Sequence, residues 1–308
     1  QPVLLNKRVL YVDRSGRKIL VMEYSLEQDG LEPLELTALS EHITQSGIRL
    51  GGVALHQRIV PSVYFTRKDG VGIVLMYYPS EKVVGFTRIA TKGTFECFSV
   101  SPRPDGESDQ VWTIVKRTIG GVTKQYVEFF DPHATSPLFI TGEFASFQTD
   151  CAVLYADALT PITSMMGLGH LEGETVDVKS AGSFLGTKVV TGGSVTLDDA
   201  ATHVEVGLHF TSRLETMRPA IEGSVIEGLP RSWDKISLRL LDTIGGKVNG
   251  EWLQYTPSDL DNLKAFTGDK DVVGQGWDSD GRIVIEQDQP YPMTVLSLYG
   301  TLSFGDRS

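Results

Sequence analysis

His203, Glu205 and His209 lie at odd positions of one alternating run, so a strand there would turn all three side chains to the same face. Imidazoles with a carboxylate are donors that a zinc site uses. The spacing defeats that chemistry: from His203 to His209 a strand covers about 20 Å at roughly 3.3 Å per residue, too far for one ion to bridge. The three residues are expected to form an exposed or hydrogen-bonded polar face. Asp278-Ser279-Asp280-Gly281 has the look of a calcium loop. Setting Gly281 at that loop's glycine puts Gly276 where an acid is required and Gln287 at the closing glutamate, so the run is read as a hairpin turn. Gly167-Leu168-Gly169-His170-Leu171-Glu172-Gly173 is one residue too long for a dinucleotide fingerprint and is read as a loop.

No G-x-S-x-G, H-E-x-x-H or phosphate-loop motif occurs in the chain. Among 39 acidic residues coincidental carboxylate pairs are inevitable, and glycoside hydrolysis depends on a spatial separation that sequence does not display. Tyr64, Trp112, Tyr77 and Tyr78 are aromatics that a carbohydrate groove would use, but their place in repeated strands assigns them to core packing. The expectation is a non-enzyme with no catalytic, cofactor-binding or metal-binding residues and no cofactor.

The elements that would position any site are strands, and they repeat. Val9-Leu10-Tyr11-Val12, a turn through Gly16 and Ile19 to Tyr24 form one hairpin. Val63-Tyr64-Phe65, the turn Arg67-Lys68-Asp69-Gly70 and Ile73 to Tyr78 form a second, and Val111 to Val115, Gly120-Gly121 and Tyr126 to Phe130 a third. The turn glycines step by 54 and then 51 residues, close to the period of about 40 to 50 residues of propeller blades. Ile73 to Tyr78 is an unbroken apolar run, expected as an inner strand covered on both faces, whereas the mixed Val122 to Phe130 suits an edge. Val83 to Ile89 and Phe95 to Val100 are expected to bring the second blade to the roughly four strands a blade needs, with 101–110 as an exposed loop. Three copies are too few to close a ring of about four to eight blades. Since the chain opens on Gln1-Pro2, a fragment or processed product lacking earlier blades is expected. The competing reading is a three-hairpin antiparallel domain with coincidental spacing.

From about Asp150 the repeat stops. Thr175 to Val178, Thr187 to Val190, Ser194 to Leu197 and His203 to Phe210 read as strands, with Gly192-Gly193 closing a tight hairpin. Ile236, Leu238 and Leu240 share one face of the next strand, Gly245-Gly246 turns the chain, and Ile283 to Ile285 is expected to pair with Thr294 to Leu298 through Asp288 to Pro292. The fold class is thus all-β: partial propeller blades over 1–149, then a sandwich or small barrel over 150–308. Helix is confined to Thr37 to Thr44, where Leu36, Leu39 and Ile43 share a face, and to a capping box at Ser258-Asp259-Leu260-Asp261 ahead of Leu263 and Phe266.

With 308 residues, the chain has room for two cores, and 32 glycines suit a turn-rich β protein. No apolar run approaches the roughly 18 residues of a membrane span, so no lipid membrane is expected as a stable partner. Cys97 and Cys151 are too few for a disulfide scaffold and are expected as reduced core thiols. A net charge of -11 opposes broad attraction to nucleic acid, yet suits a channel in which a polyanion slides. A local basic ring from Arg213, Arg218 or Arg231 is the exception to watch for.

The blade pattern from Tyr64 to Tyr78, followed by Val83-Val84-Gly85-Phe86 and Phe95-Glu96-Cys97-Phe98-Ser99-Val100, resembles the distal tail tubular, or nozzle, proteins of short-tailed bacteriophages. The resemblance continues in Leu171 to Val178, Val206 to Thr216 and Gln287 to Leu296, and so covers nearly the whole chain, although Tyr64 and Phe86 stand where tryptophan is expected. It implies a structural protein, made in the host cytoplasm and carried in the virion tail. It also implies a ring, taken as a hexamer, around the DNA exit channel, adjoining other tail-tube and tail-fibre proteins, with phage DNA passing through the lumen. The alternative is a carbohydrate-binding receptor module on a virion surface; a glycan-cleaving enzyme ranks third.

Overall fold

The computed structural model describes the chain except for residues 1, 6, 27–28, 57–60, 104–108, 131–138, 141–142, 145–146, 181, 221–227, 256–264, 274–275 and 306–308. The capping box at Ser258 and the tip of the expected 101–110 loop lie outside the described residues. The fold is all-β, and its sheets are antiparallel throughout the described residues. It divides into two compact units, Gln1–Pro132 and His133–Ser308, a boundary upstream of the change of pattern at Asp150.

The first unit is a succession of meanders in chain order. The first sheet comprises β1 (Val3–Leu5), β2 (Arg8–Val12), β3 (Ile19–Ser25) and β4 (Gly30–Glu35). A four-residue helix, α1 (Glu41–Thr44), leads to the second sheet of β5 (Ile48–His56), β6 (Ser62–Arg67), β7 (Gly72–Tyr78) and β8 (Val83–Ile89). The third contains β9 (Thr94–Pro102), β10 (Asp109–Ile119) and β11 (Val122–Phe129). All three expected hairpins form with their turn glycines at positive φ. Phe95 to Val100, however, opens the third sheet, because β5 already supplies the fourth strand of the second. The helix expected over Thr37 to Thr44 is cut short: Leu39 is 98% exposed, whereas Leu36 and Ile43 are buried together with Thr37 and Thr44.

Each pair of successive sheets encloses a core. Leu10, Ile19 and Val21 of the first sheet meet Val63, Phe65, Ile73, Leu75 and Tyr77 of the second. Phe95, Phe98, Val111 and Val115 of the third close on Tyr64 and Ile89 from the other side, with Tyr64 and Phe98 ring centroids 5.6 Å apart. The second sheet is therefore covered on both faces over much of its area, as its apolar β7 demands, although Met76 remains exposed. The mixed-polarity β11 is an edge strand of the third sheet.

The turns bind the sheets as well as the hairpins. Gly16 N–H donates to Asp13 O and Gly70 N–H to Arg67 O, both at 3.0 Å, and each glycine's own carbonyl accepts from the next sheet, at 2.8 Å from Ile48 N–H and 2.8 Å from Phe95 N–H. Buried Arg67 reinforces the second turn, donating to Asp69, to Ile43 O at 3.1 Å and to Ser46 Oγ at 2.9 Å. The guanidinium holds the Asp69 carboxyl at about 2, well below the usual carboxylate range, and Ser46 and the Val71 N–H assist. That contribution to stability is complete above the ordinary carboxylate pKa and disappears as pH falls through about 2.

After the short pair β12 (Phe139–Ile140) and β13 (Glu143–Phe144), the second unit contains two sandwiches. In one, β14 (Asp150–Ala156), β19 (His203–Leu208), β16 (Thr175–Ser180) and β17 (Ser183–Val189) form a sheet, in that order, facing β15 (Ile162–Met166) and β18 (Ser194–Ala201). Its core joins Val176, Val178, Val204, Val206 and Leu208 to Met165, Val195 and Leu197. In the other, β20 (Ser212–Glu215), β25 (Val284–Gln287), β22 (Lys247–Val248) and β23 (Glu251–Trp252) form one sheet and β24 (Phe266–Val273), β21 (Arg231–Thr243) and β26 (Thr294–Phe304) the second. Ile236, Leu238 and Leu240 point inward, as their spacing dictates, toward Val248, Ile283 and Ile285.

Two expected hairpins are corrected here. Gly192 and Gly193 make the positive-φ turn, but beyond the single Thr191–Ser194 bridge the flanking strands enter different sheets. Likewise β25 and β26 do not pair; both contribute side chains to one core, so burying them together requires opposite layers. Cys97 and Cys151 lie in β9 and β14 without a disulfide, half-buried and not at the centre of a core.

A methyl at Gly70 would overlap the Thr94 side chain, and the φ of 86° is one that L residues rarely adopt. Gly70→Ala is therefore expected to destabilise the protein by about 2–4 kcal/mol, the sum of left-handed strain and overpacking. Gly16→Ala, whose methyl would stand 3.1 Å from Ile48 O, should cost less. Urea unfolding followed by far-ultraviolet dichroism checks both, and an unchanged midpoint for Gly70→Ala would contradict this account of the turn.

Candidate functional site

Among the described residues, three buried charged side chains, Asp177, Lys179 and Glu205, share the outer face of the β14-β19-β16-β17 sheet. Alternation puts Val176 and Val178 into the core and turns Asp177 and Lys179 outward; on the adjacent strand it turns Glu205 and Gly207 outward. Lys179 is directly opposite Glu205, and Asp177 is opposite Gly207. Lys179 Nζ is 2.6 Å from Glu205 Oε2, with both side chains only 3% exposed. Glu205 Oε1 also accepts from the backbone N–H groups of Gln148 and Thr149 at 2.7 and 2.8 Å and from Thr149 Oγ1 at 2.8 Å. Gly207 permits this lid: a Cβ there would come within 2.7 Å of Asp150 O.

Asp177 pairs with His209, whose Nδ1 lies 2.9 Å from Oδ2. Burial pushes the Asp177 carboxyl above its ordinary value, and the nearby charges of Glu205 and Asp288 add to that, whereas the bond to His209 opposes it. Asp288 is itself paired with Lys247, and Tyr291 Oη accepts from Phe184 N–H at 2.8 Å, a polar contact between the two sandwiches of this unit.

The expected His203, Glu205 and His209 face exists, but it is buried at Glu205 and each member has its own partner. His203 bonds Thr202, Glu205 bonds Lys179 and His209, just past the strand end, bonds Asp177. Among the described residues no three metal-ligating side chains converge. Sequence reading overlooked the partners Asp177 and Lys179, although their signal was present: opposite charges at alternate positions of two apolar strands. Both carboxylates, Asp177 and Glu205, are buried and bonded within the protein as parts of an ion-pair network, whereas the His209 imidazole at its end is half-exposed.

The other motifs also serve the backbone. Asp278 Oδ2 accepts from Gly281 N–H at 2.9 Å, closing a turn, but not the expected hairpin, since β24 and β25 on either side enter different sheets; Asp278 instead forms a two-bond bridge with Arg231. Gly167 to Gly173 is a loop with one short helical turn, and Glu172 accepts from the N–H groups of Gly192 and Gly193 at 2.9 and 2.6 Å. Arg213 pairs with Glu215 and Glu286, Arg218 with Asp280, and Arg231 is buried, donating to Asp280 O at 3.2 Å. Of the four aromatics, Tyr64 and Tyr77 pack in cores and Tyr78 is half-buried, whereas Trp112 is 38% exposed and leans on Phe129 at 5.4 Å.

No protein-family model matches the sequence, and no curated protein matches it. Among solved structures, the chain is similar to an exo-β-1,3-galactanase from Phanerochaete chrysosporium with bound β-1,3-galactotriose, at 10% identity and a TM-score of 0.27 over 94% of this chain and 64% of the other. A second variant of that galactanase matches at 9% identity with the same score and coverage. The chain thus spans less than two thirds of the galactanase's length, and a likeness this slight transfers neither fold nor activity.

Replacing Lys179 with Met would strand a buried carboxylate, and a loss of about 3–5 kcal/mol is expected. Adding Glu205→Gln, whose amide oxygen still accepts from the Gln148 and Thr149 N–H groups, should recover part of that loss; denaturant midpoints of the single and double variants check the coupling. For Asp177 the raised pKa means that the folded state holds a proton where the unfolded state has lost it, so stability falls as pH rises between the unfolded and folded values. The stability of the protein relative to Asp177→Asn should therefore be greatest below the ordinary carboxylate range and decline to a plateau above the raised pKa. Melting temperatures measured across that range test the sign, and an opposite slope would exclude burial as the dominant influence.

Proposed function

We propose that this chain is a non-enzymatic structural component of the tail tube or nozzle of a short-tailed phage, forming part of a ring around the DNA exit channel. The observation that carries the proposal is the run of three consecutive meanders, each packed on the next, with apolar residues on both terminal faces. Leu4, Val9, Tyr24 and Leu31 are exposed on the first sheet and Trp112, Val127 and Phe129 on the third. A sheet apolar on both faces belongs inside a stack of blades, and an uncovered apolar face of this kind marks a contact surface. In the assembled tail these faces are covered by further blades.

Electrostatics favour the same reading. Arg213 and Arg218 are neutralised by carboxylates and Arg231 is buried, so they do not form a basic ring that would grip a duplex. With a net charge of -11 the protein repels phosphate from most directions, which suits passage without capture.

Antibody raised against the chain is expected to decorate the tail tip of virions in electron micrographs; decoration of the capsid alone would reject the tube reading. Free duplex DNA should bind the protein weakly or undetectably at physiological salt, without a steep dependence on ionic strength. Tight binding that collapses between low and moderate salt, measured by fluorescence anisotropy, would indicate a DNA clamp instead.

A further inference from the structure

The second unit contains a cleft of about 350 Å³ whose walls include Gln148, Phe210, Arg213, Gln289, Tyr291 and Met293. Its volume is at the lower end of small-molecule sites, too small for a helix but adequate for the end of an oligosaccharide. Two of its walls are fixed by bonds made outside the cleft. The Tyr291 hydroxyl is held by Phe184 N–H at 2.8 Å, which sets its ring, and the Arg213 guanidinium is held 2.9 Å from Glu215 and 3.3 Å from Glu286. The Phe210 ring is 45% exposed, just beyond the end of β19.

We infer that this cleft is a binding subsite for a neutral saccharide. A sugar ring presents a C–H face, which an aromatic side chain covers, and hydroxyls that both donate and accept. Phe210 and Tyr291 supply the first kind of surface, and the amide of Gln289 offers both hydrogen-bonding roles. An anion is disfavoured because the one cation on the wall is offset by two carboxylates. A purely apolar ligand is disfavoured because it would cover the polar amide of Gln289 without offering it a hydrogen bond. The inference goes beyond the tube proposal and is independent of it, since the cleft involves the second unit alone.

The test is a microarray of neutral and acidic oligosaccharides probed with the whole chain, followed by saturation-transfer nuclear magnetic resonance on the retained glycans. Neutral oligosaccharides should be retained, and Phe210→Ala should weaken their apparent affinity at least ten-fold. Gln289→Ala, a second probe of the same wall, should also weaken it. Trp277→Ala removes a 61% exposed ring that is not part of the cleft wall, and should leave binding unchanged. Circular dichroism verifies that each variant is folded. Failure to retain any glycan at millimolar concentration, retention of acidic glycans only, or binding indifferent to both cleft variants would overturn the assignment.

Discussion

The first unit depends on a backbone hydrogen bond that occurs twice. The glycine that turns one hairpin gives its carbonyl to the opening strand of the next sheet, Gly16 to Ile48 and Gly70 to Phe95. A turn at a sheet's rim is ordinarily free to sway; here it is anchored, so the relative placement of successive sheets is set by backbone geometry before side chains refine it. The glycines are required twice over, by positive φ and by closeness to the neighbouring sheet. The cores of Leu10, Val21, Phe65 and Leu75, and of Tyr64, Phe95 and Phe98, then fill spaces whose thickness those turns have fixed.

The second unit uses charge for a related purpose. Its first sandwich carries an outer face that elsewhere would be bathed in solvent, but the backbone around Thr149 and Asp150 closes over Gly207 and takes Glu205 out of water. Once covered, the carboxylate requires compensation, and Lys179 with three donors supplies it. Such a network contributes little net stability compared with a well-packed apolar face, but it fixes register: shifting β16 by one residue against β19 would separate Lys179 from Glu205 and bury both charges unpaired.

Several further charges are paired on the surface. On the outer face of the last sandwich Arg239 bonds Asp269 at 2.8 Å and Lys235 bonds Asp271 at 2.7 Å. The pairing draws the exposed Asp269 carboxyl down to about 2. Exposed ladders of this kind contribute modestly to stability, but they protect a flat sheet face from pairing with another chain. The apolar ends of the first unit lack that protection, which is why they are the surfaces on which the proposed assembly depends.

Alternation and turn chemistry revealed the all-β class, the three hairpins, the inward face of Ile236, Leu238 and Leu240 and the edge character of β11. These are local properties: side-chain period and positive φ act over a few residues, and the sequence carries them openly. The partner of each strand was less accessible. Phe95 to Val100 moved to the next sheet, the strands flanking Gly192-Gly193 diverged, and β25 and β26 faced each other across a core, because pairing is selected by which apolar faces can be buried together at long range. The charged residues divide along the same line. Their spacing alone ruled out one ion bridging His203 and His209, since distance along a strand is fixed by backbone geometry. That Glu205 would be buried against Lys179, and His209 bonded to Asp177, was decided only by the tertiary structure, because a side chain's environment depends on what folds over it.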